Sequence, residues 1–127
     1  MRLTEIHHVA IITSDREKTV DFYVGRLGFE IIRETERPER GDIKLDLRVN
    51  DLTELEIFIV KDPPARVTRP EARGLRHLAF RVDDVEEAVK WLASKGIETE
   101  PVRTDPVSGG RAVFFSDPDG LPLELHE

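Results

Sequence analysis

The chain has no cysteine, so disulfides, thiolate metal sites and cysteine nucleophiles are all excluded. Any metal must be held by nitrogen and oxygen. Basic residues are outnumbered, 19 lysines and arginines against 26 aspartates and glutamates, for a formal charge of −7. That balance disfavours nucleic acid as a partner, because phosphate-backbone sites need a basic surface. No apolar run approaches the roughly eighteen residues needed to cross a bilayer. The opening Met1-Arg2-Leu3-Thr4-Glu5 lacks the apolar core of a signal peptide. The expected setting is cytoplasmic, with no membrane partner, and the remaining chemistry is that of a small-molecule substrate.

What the chain does contain is an internal repeat. Glu5 to Asp15 and Gly74 to Asp84 share a pattern in which His8 falls on His77, Ala10 on Ala79 and Asp15 on Asp84, 69 positions apart. Each histidine is followed by an amphipathic helix pattern, then strands, then a carboxylate between aliphatics: Leu55-Glu56-Ile57 and Leu123-Glu124-Leu125. The His-to-Glu separations are 48 and 47 residues. A length of 127 residues suits one well-buried core. The expectation is one domain over 1–127, with module one at 3–61, a linker at 62–74 and module two at 75–127.

The pattern within each module reads β-α-β-β-β. Residues 3–13 alternate as a strand. Ser14 and Glu17 have capping-box spacing, Val20, Tyr23, Val24 and Leu27 follow helical spacing, and Gly28 supplies a stop. Strands are expected at 29–35, 43–49 and 55–59, with a loop at 36–42. Pro63, Pro64 and Pro70 keep 62–73 irregular, and its arginines Arg66, Arg69 and Arg73 read as a solvated segment. The second module repeats the order. It has a strand at 75–82, an Asp83/Glu86 capping box, a helix striped by Val85, Ala88, Val89 and Leu92, and a stop at Gly96. Strands at 97–103, 111–116 and 121–126 follow, the last two joined by the turn Asp117-Pro118-Asp119-Gly120. Phe22 and Trp91 occupy equivalent helix positions and read as packing or subunit-contact residues.

Strand parity connects this organisation to chemistry. A sheet face covered by helices must be apolar, and that phase carries Val9, Ile11, Leu55, Ile57, Ile59, Leu78, Phe80, Val82, Leu123 and Leu125. His8, Glu56, His77 and Glu124 lie on the opposite phase, and halves related by a pseudo-twofold would turn them toward one concavity. Two imidazoles and two carboxylates suit a borderline divalent cation, and six-coordination would leave about two positions for water or substrate. Glu54 shares a face with Glu56, and His126 with Glu124, so a slip of two residues would exchange them. The shared Leu-Glu-aliphatic frame favours Glu56 and Glu124. His7 points to the helix side as a buried or edge histidine. Arg48 and Arg81 face the concavity as solvated residues, ion-pair partners or anion clamps for the substrate, and Phe58 as an apolar wall of its pocket.

The motifs His7-His8-Val9-Ala10-Ile11, Phe22-Tyr23 with Leu27-Gly28-Phe29, Gly74 to Phe80, and Asp117 to Leu125 resemble the vicinal oxygen chelate superfamily, which includes glyoxalase I, bleomycin-resistance proteins and extradiol dioxygenases. The resemblance runs from about Ile6 to Glu127. It implies an α+β fold of two tandem βαβββ modules in an open, curved, eight-stranded barrel-like sheet with helices outside, commonly as a homodimer. It also implies one divalent metal ion per site, of Zn, Ni, Mn, Co or Fe, with His8, Glu56, His77 and Glu124 as ligands. The order of those ligands resembles bacterial glyoxalase I, a lyase in which an enediolate is stabilised at the metal and a ligand glutamate moves the proton. Carried over, the base is Glu124 or Glu56, with Glu124 preferred. Ile12 stands where glyoxalase I proteins usually carry an arginine that holds glutathione. The competing readings are a drug-binding protein of the bleomycin-resistance kind, against which all four donors count, and an extradiol dioxygenase, whose iron site Glu56 would crowd.

Overall fold

The computed structural model describes residues 1–127. The protein separates into two compact units, Met1–Pro64 and Ala65–Glu127. Its α+β architecture comprises two four-stranded mixed sheets, and backbone pairing stays within each sheet rather than running through eight strands.

In the first unit, β1 (His8–Thr13) precedes helix α1 (Arg16–Val20), a π-helical turn (Asp21–Arg26), β2 (Glu30–Arg37), β3 (Asp42–Arg48) and β4 (Glu54–Val60). The strand order is β1-β4-β3-β2, with β1 parallel to β4 and the other neighbours antiparallel. Alternation does what a period of two demands: Leu55, Ile57 and Ile59 are buried while Glu54, Glu56 and Phe58 are half-buried. Leu45, Leu47 and Ile57 have no exposed surface, and burying each side chain contributes about 2 kcal/mol. The Thr19 hydroxyl on α1 donates to the Asp15 carbonyl at 2.6 Å and accepts from the Thr13 hydroxyl on β1 at 2.9 Å, a buried polar bond that ties helix to strand.

In the second unit, β5 (Leu78–Arg81), α2 (Val85–Ser94), β6 (Arg103–Thr104), β7 (Arg111–Ser116) and β8 (Pro122–His126) repeat the order. The sheet runs β5-β8-β7-β6, again with one parallel pair, β5 with β8. Helix α2 packs on β7 and β8 and buries Val85 and Leu92 completely.

Several expectations at the element ends need correction. Both helix caps sit one residue later than the capping-box spacing suggested: Asp15 accepts from the Lys18 N–H at 2.9 Å and Asp84 from the Glu87 N–H at 3.0 Å. Their shared repeat positions explain the common shift, and aspartate caps as well as serine. Strand β1 starts at His8 rather than residue 3, and Leu3 and Ile6 are exposed. Strand β5 starts after His77. Of the strand expected at 97–103 only Arg103 lies in a regular strand, Arg103–Thr104; the Glu100 N–H still donates to the Phe114 carbonyl at 2.8 Å, but Pro101, with no N–H, interrupts the ladder.

The first helix is not α-helical throughout. From Asp21 to Arg26 it widens to a π turn, with the Leu27 N–H donating to the Phe22 carbonyl at 2.9 Å. A π turn holds one extra residue, and the repeat shows that residue: Asp15 and Asp84 are 69 apart, but the helix-stopping glycines Gly28 and Gly96 are 68 apart. Both glycines take positive φ, 80° and 73°. The turn thus absorbs the difference between His-to-Glu separations of 48 and 47. It also buries Phe22, 6% exposed, whereas Trp91 at the equivalent position is 43% exposed.

Candidate metal-binding pairs

The two units each bring one imidazole and one carboxylate together. In the first, β1 runs parallel to β4 with Ala10 opposite Glu56; in the second, β5 runs parallel to β8 with Ala79 opposite Glu124. In both, the histidine lies two residues before the alanine, on the same strand phase. His8 Nε2 stands 3.4 Å from Glu56 Oε2, and His77 Nε2 stands 2.9 Å from Glu124 Oε2. Although the ladder sets His8 opposite Glu54, the His8 side chain pairs with Glu56, and His126 turns its Nε2 toward Asp105 Oδ2 at 3.6 Å.

The surroundings of the two pairs differ in kind. Strand β3 places Asp46 opposite Glu56, and Asp46 is only 1% exposed. Lys44 Nζ bridges the two carboxylates, 2.9 Å from Glu56 Oε1 and 3.3 Å from Asp46 Oδ1. The hydrogen bond that the Lys44 ammonium donates to Glu56 raises its pKa above the ordinary lysine value, against the opposing effect of burial. Asp46 is also 3.2 Å from Arg33 Nε. A bulge between Ile31 and Arg33 in β2 sets Arg33 opposite Asp46; an unbroken register would have put Ile32 there. The bulge therefore aims a guanidinium at a buried carboxylate. In the second unit, Phe114 takes the place of Asp46, opposite Glu124 in the ladder. Its ring meets the His77 imidazole edge to face, centroids 5.1 Å apart.

The outer nitrogens of the histidines have partners as well. His7 Nδ1 lies 2.9 Å from His8 Nδ1. His7 is exposed rather than buried, because it lies outside the strand; its carbonyl accepts from the Glu54 N–H at 3.0 Å. At the equivalent position Arg76 Nη1 lies 3.1 Å from His77 Nδ1. Arg66 is half-buried and not the solvated linker arginine expected. Its guanidinium donates to the carbonyls of Leu75 and Arg76, both at 2.8 Å, bracing the chain just before His77. Its contacts are tertiary, so local composition carried no sign of them.

The expected substrate contacts are distributed as follows. Phe58 is half-buried under the Arg37 guanidinium, 4.8 Å from its ring centroid. Arg48 Nε is 3.8 Å from Glu30 Oε2, and Arg81 is exposed. Asp117 is more than a turn residue: it is 4% exposed and its Oδ1 accepts from the Asp119 and Leu121 N–H groups at 2.9 Å, holding the β7–β8 connection.

A neutral imidazole with a carboxylate oxygen at 2.9 or 3.4 Å is a chelating pair suited to a borderline divalent ion. No three histidine or carboxylate side chains are gathered at one point of the structure, and each pair by itself offers two donors.

The Glyoxalase/Bleomycin resistance protein/Dioxygenase superfamily profile matches residues 5–125. The chain is 60% identical over 127 residues to YwkD of Bacillus subtilis, covering 100% of this chain and 99% of that one. It aligns with the crystal structure of a glyoxalase family protein from Enterococcus faecalis at a TM-score of 0.95 and 57% identity, covering 100% of each chain. More distant relatives bear names of activities. A 2-epi-5-epi-valiolone epimerase of Actinomyces sp is 32% identical, covering 94% of this chain and 77% of that one. The metallothiol transferase FosB of Staphylococcus epidermidis is 25% identical, covering 99% and 83%, and the mitochondrial methylmalonyl-CoA epimerase of Homo sapiens is 27% identical, covering 98% and 74%. A profile spanning nearly all of the chain, whose repeat sets a histidine against a glutamate in each unit, leads to one assignment: the chain belongs to the glyoxalase/bleomycin resistance protein/dioxygenase superfamily.

Proposed function

We propose that this protein is a divalent-metal-dependent lyase or isomerase acting on a small carbonyl compound, with His8, Glu56, His77 and Glu124 as the metal donors. The observation that carries the proposal is the repeated register: each sheet sets a histidine Nε2 beside a glutamate Oε2, at 3.4 and 2.9 Å. The names of relatives support the reaction class, since two are epimerases and one is a metallothiol transferase. A divalent ion held by such donors supplies Lewis-acid polarisation of a carbonyl and offsets negative charge developing on its oxygen.

The chain's own residues divide the remaining work. Glu124 takes a proton from the carbon beside the carbonyl and returns it. Geometry favours it over Glu56, because Lys44 occupies Glu56 Oε1 at 2.9 Å, whereas the ion-pair partner of Glu124 is His77. Phe114, packed against the His77 ring, keeps water from that side of the pair, and Lys44 offsets part of the charge on Glu56.

The test is turnover of methylglyoxal with glutathione and other thiols, and exchange of carbon-bound protons with deuterated solvent, with Ni, Zn, Mn or Co added. The proposal expects metal-dependent turnover or exchange that falls by about 100-fold or more in Glu124→Gln. Absence of both with every metal and thiol would contradict it.

A further inference from the structure

The second unit contains a cavity of about 330 Å³ whose wall includes Arg69, Arg76, Arg103, Glu100 and Phe114. Two of these residues are also the neighbours of His77: Arg76 at 3.1 Å from Nδ1 and Phe114 against the ring. The cavity therefore adjoins the imidazole that faces Glu124. Its volume lies at the low end of small-molecule pockets, about 300–1,000 Å³, which suits a compact metabolite better than a drug-sized compound.

The lining carries three guanidiniums against two carboxylates, Glu71 and Glu100, a local excess of positive charge in a chain of formal charge −7. Glu100 holds two of them, Arg69 at 3.5 Å through Oε1 and Arg103 at 3.3 Å through Oε2. Charge-assisted hydrogen bonds at full strength run to about 2.8 Å. Glu100 therefore orients these arginines while leaving most of their donors free, and a guanidinium has five. Arg103 also lies over Phe114, 5.9 Å from the ring centroid. Cationic donors thus sit beside an aromatic floor, next to the candidate reaction centre.

We infer that this cavity is an oxyanion subsite for a carboxylate or phosphate group of the substrate, with Arg103 and Arg76 as its donors and Phe114 under the carbon skeleton. The inference rests on the reading of His77 and Glu124 as part of the reaction centre and narrows the substrate to an anionic carbonyl compound. It also moves anion recognition away from Arg48 and Arg81, neither of which lines the cavity.

The experiment is an amide NMR titration of the full-length, metal-free protein with inorganic phosphate, with pyruvate, and with uncharged hydroxyacetone. Saturable shifts at Phe115, Ser116 and Gly120 are expected with one or both anions, the tighter one identifying the group, and none with hydroxyacetone. Arg103→Gln and Arg76→Gln should each weaken the binding about tenfold. Lys90→Gln, which removes an exposed positive charge on α2, should leave it unchanged. Thermal melts of each variant establish that it is folded. The inference is overturned if neither anion saturates below about 50 mM, an affinity too weak for recognition, or if Lys90→Gln weakens binding as much as Arg103→Gln. Since no metal or turnover enters the measurement, failure of the metal-dependent reading leaves the result separately readable.

Discussion

Arg76 Nη1 sits 3.1 Å from His77 Nδ1, and a guanidinium can only donate. The neutral His77 ring must then accept at Nδ1 and carry its proton on Nε2, where it donates to Glu124 Oε2 at 2.9 Å. His8 is under no such constraint, because its Nδ1 faces another imidazole nitrogen, that of His7, at 2.9 Å, and either ring can be the donor. A donor nitrogen that still holds its proton cannot bind a cation, so metal loading at His77 requires Arg76 to let go. Long-range nitrogen–proton correlation spectra of the metal-free protein should show His77 in the Nε2–H form. Arg76→Met should bring a mixture of tautomers and about threefold tighter metal binding, because the competing donor is gone. A predominantly Nδ1–H form in the unsubstituted protein would contradict this.

Lys44 opposes metal binding in the first unit by a different route. Its ammonium holds Glu56 Oε1 at 2.9 Å and competes for the same negative charge. Both side chains are largely shielded, 24% and 17% exposed, so the contact is screened less than a surface pair. Lys44→Met should tighten metal binding by about fivefold, as measured by competition with a chromophoric chelator. Weaker binding in that variant would mean that Lys44 acts chiefly by orienting Glu56.

Asp46 is a structural rather than a ligand carboxylate. It is buried between Lys44 and Arg33, at 3.3 and 3.2 Å, yet Oδ1 lacks a well-directed hydrogen bond. Removing one member of a fully buried ion pair costs about 3–5 kcal/mol; with Arg33 66% exposed, Asp46→Ala should cost about 2 kcal/mol. Pairing it as Lys44→Met/Asp46→Leu should recover part of that loss, because Lys44 and Asp46 leave together and only Glu56 then loses a partner. Urea unfolding of the single and double variants decides the matter; equal losses in both would show that packing rather than charge sets the cost.

Glu127 gives the second unit an acid-sensitive clasp. Its carboxylate accepts from the Val85 N–H at the start of α2 and from the Arg111 N–H, both at 3.1 Å, and from the Arg111 guanidinium. The Arg111 hydrogen bond is the largest cause that lowers its pKa to about 2, against an ordinary glutamate value of about 4.3. Because the folded value is the lower one, the unfolded chain binds more protons between the two. The contribution is therefore complete above about pH 5 and is lost as pH falls toward 2. Glu127→Gln should be less stable than the parent at pH 7, with the gap closing toward pH 2.5 in urea melts. A gap that stays constant with pH would contradict the assignment.

The faces of the strands were legible because period-two alternation is local: Leu55, Ile57 and Ile59 declare one side of β4 and Glu56 the other. The repeat then gave His8 and His77 the same phase as their glutamates. Residues whose roles depend on tertiary partners were not legible. Asp46 looks like any outward polar residue of an alternating strand until the bulge in β2 brings Arg33 opposite it. Arg66 lies in a proline-rich segment, and the carbonyls it braces are nine and ten residues away. The π turn left only a one-residue difference between two separations, 48 against 47, which spacing alone could not localise to the helix. Phe114 was hidden by its ordinary place in an apolar strand.

The proposed function names both histidine–glutamate pairs as metal donors. Elemental analysis of protein purified without chelator, followed by titration of chelator-stripped protein with Zn, Ni, Mn and Co, tests it directly. The account predicts about one divalent ion per chain, with affinity lowered by about 100-fold or more in both His8→Ala and His77→Ala, the loss expected when one of four ligands is removed. Undiminished binding in either variant, with the other abolishing it, would show that one pair suffices and would contradict the claim.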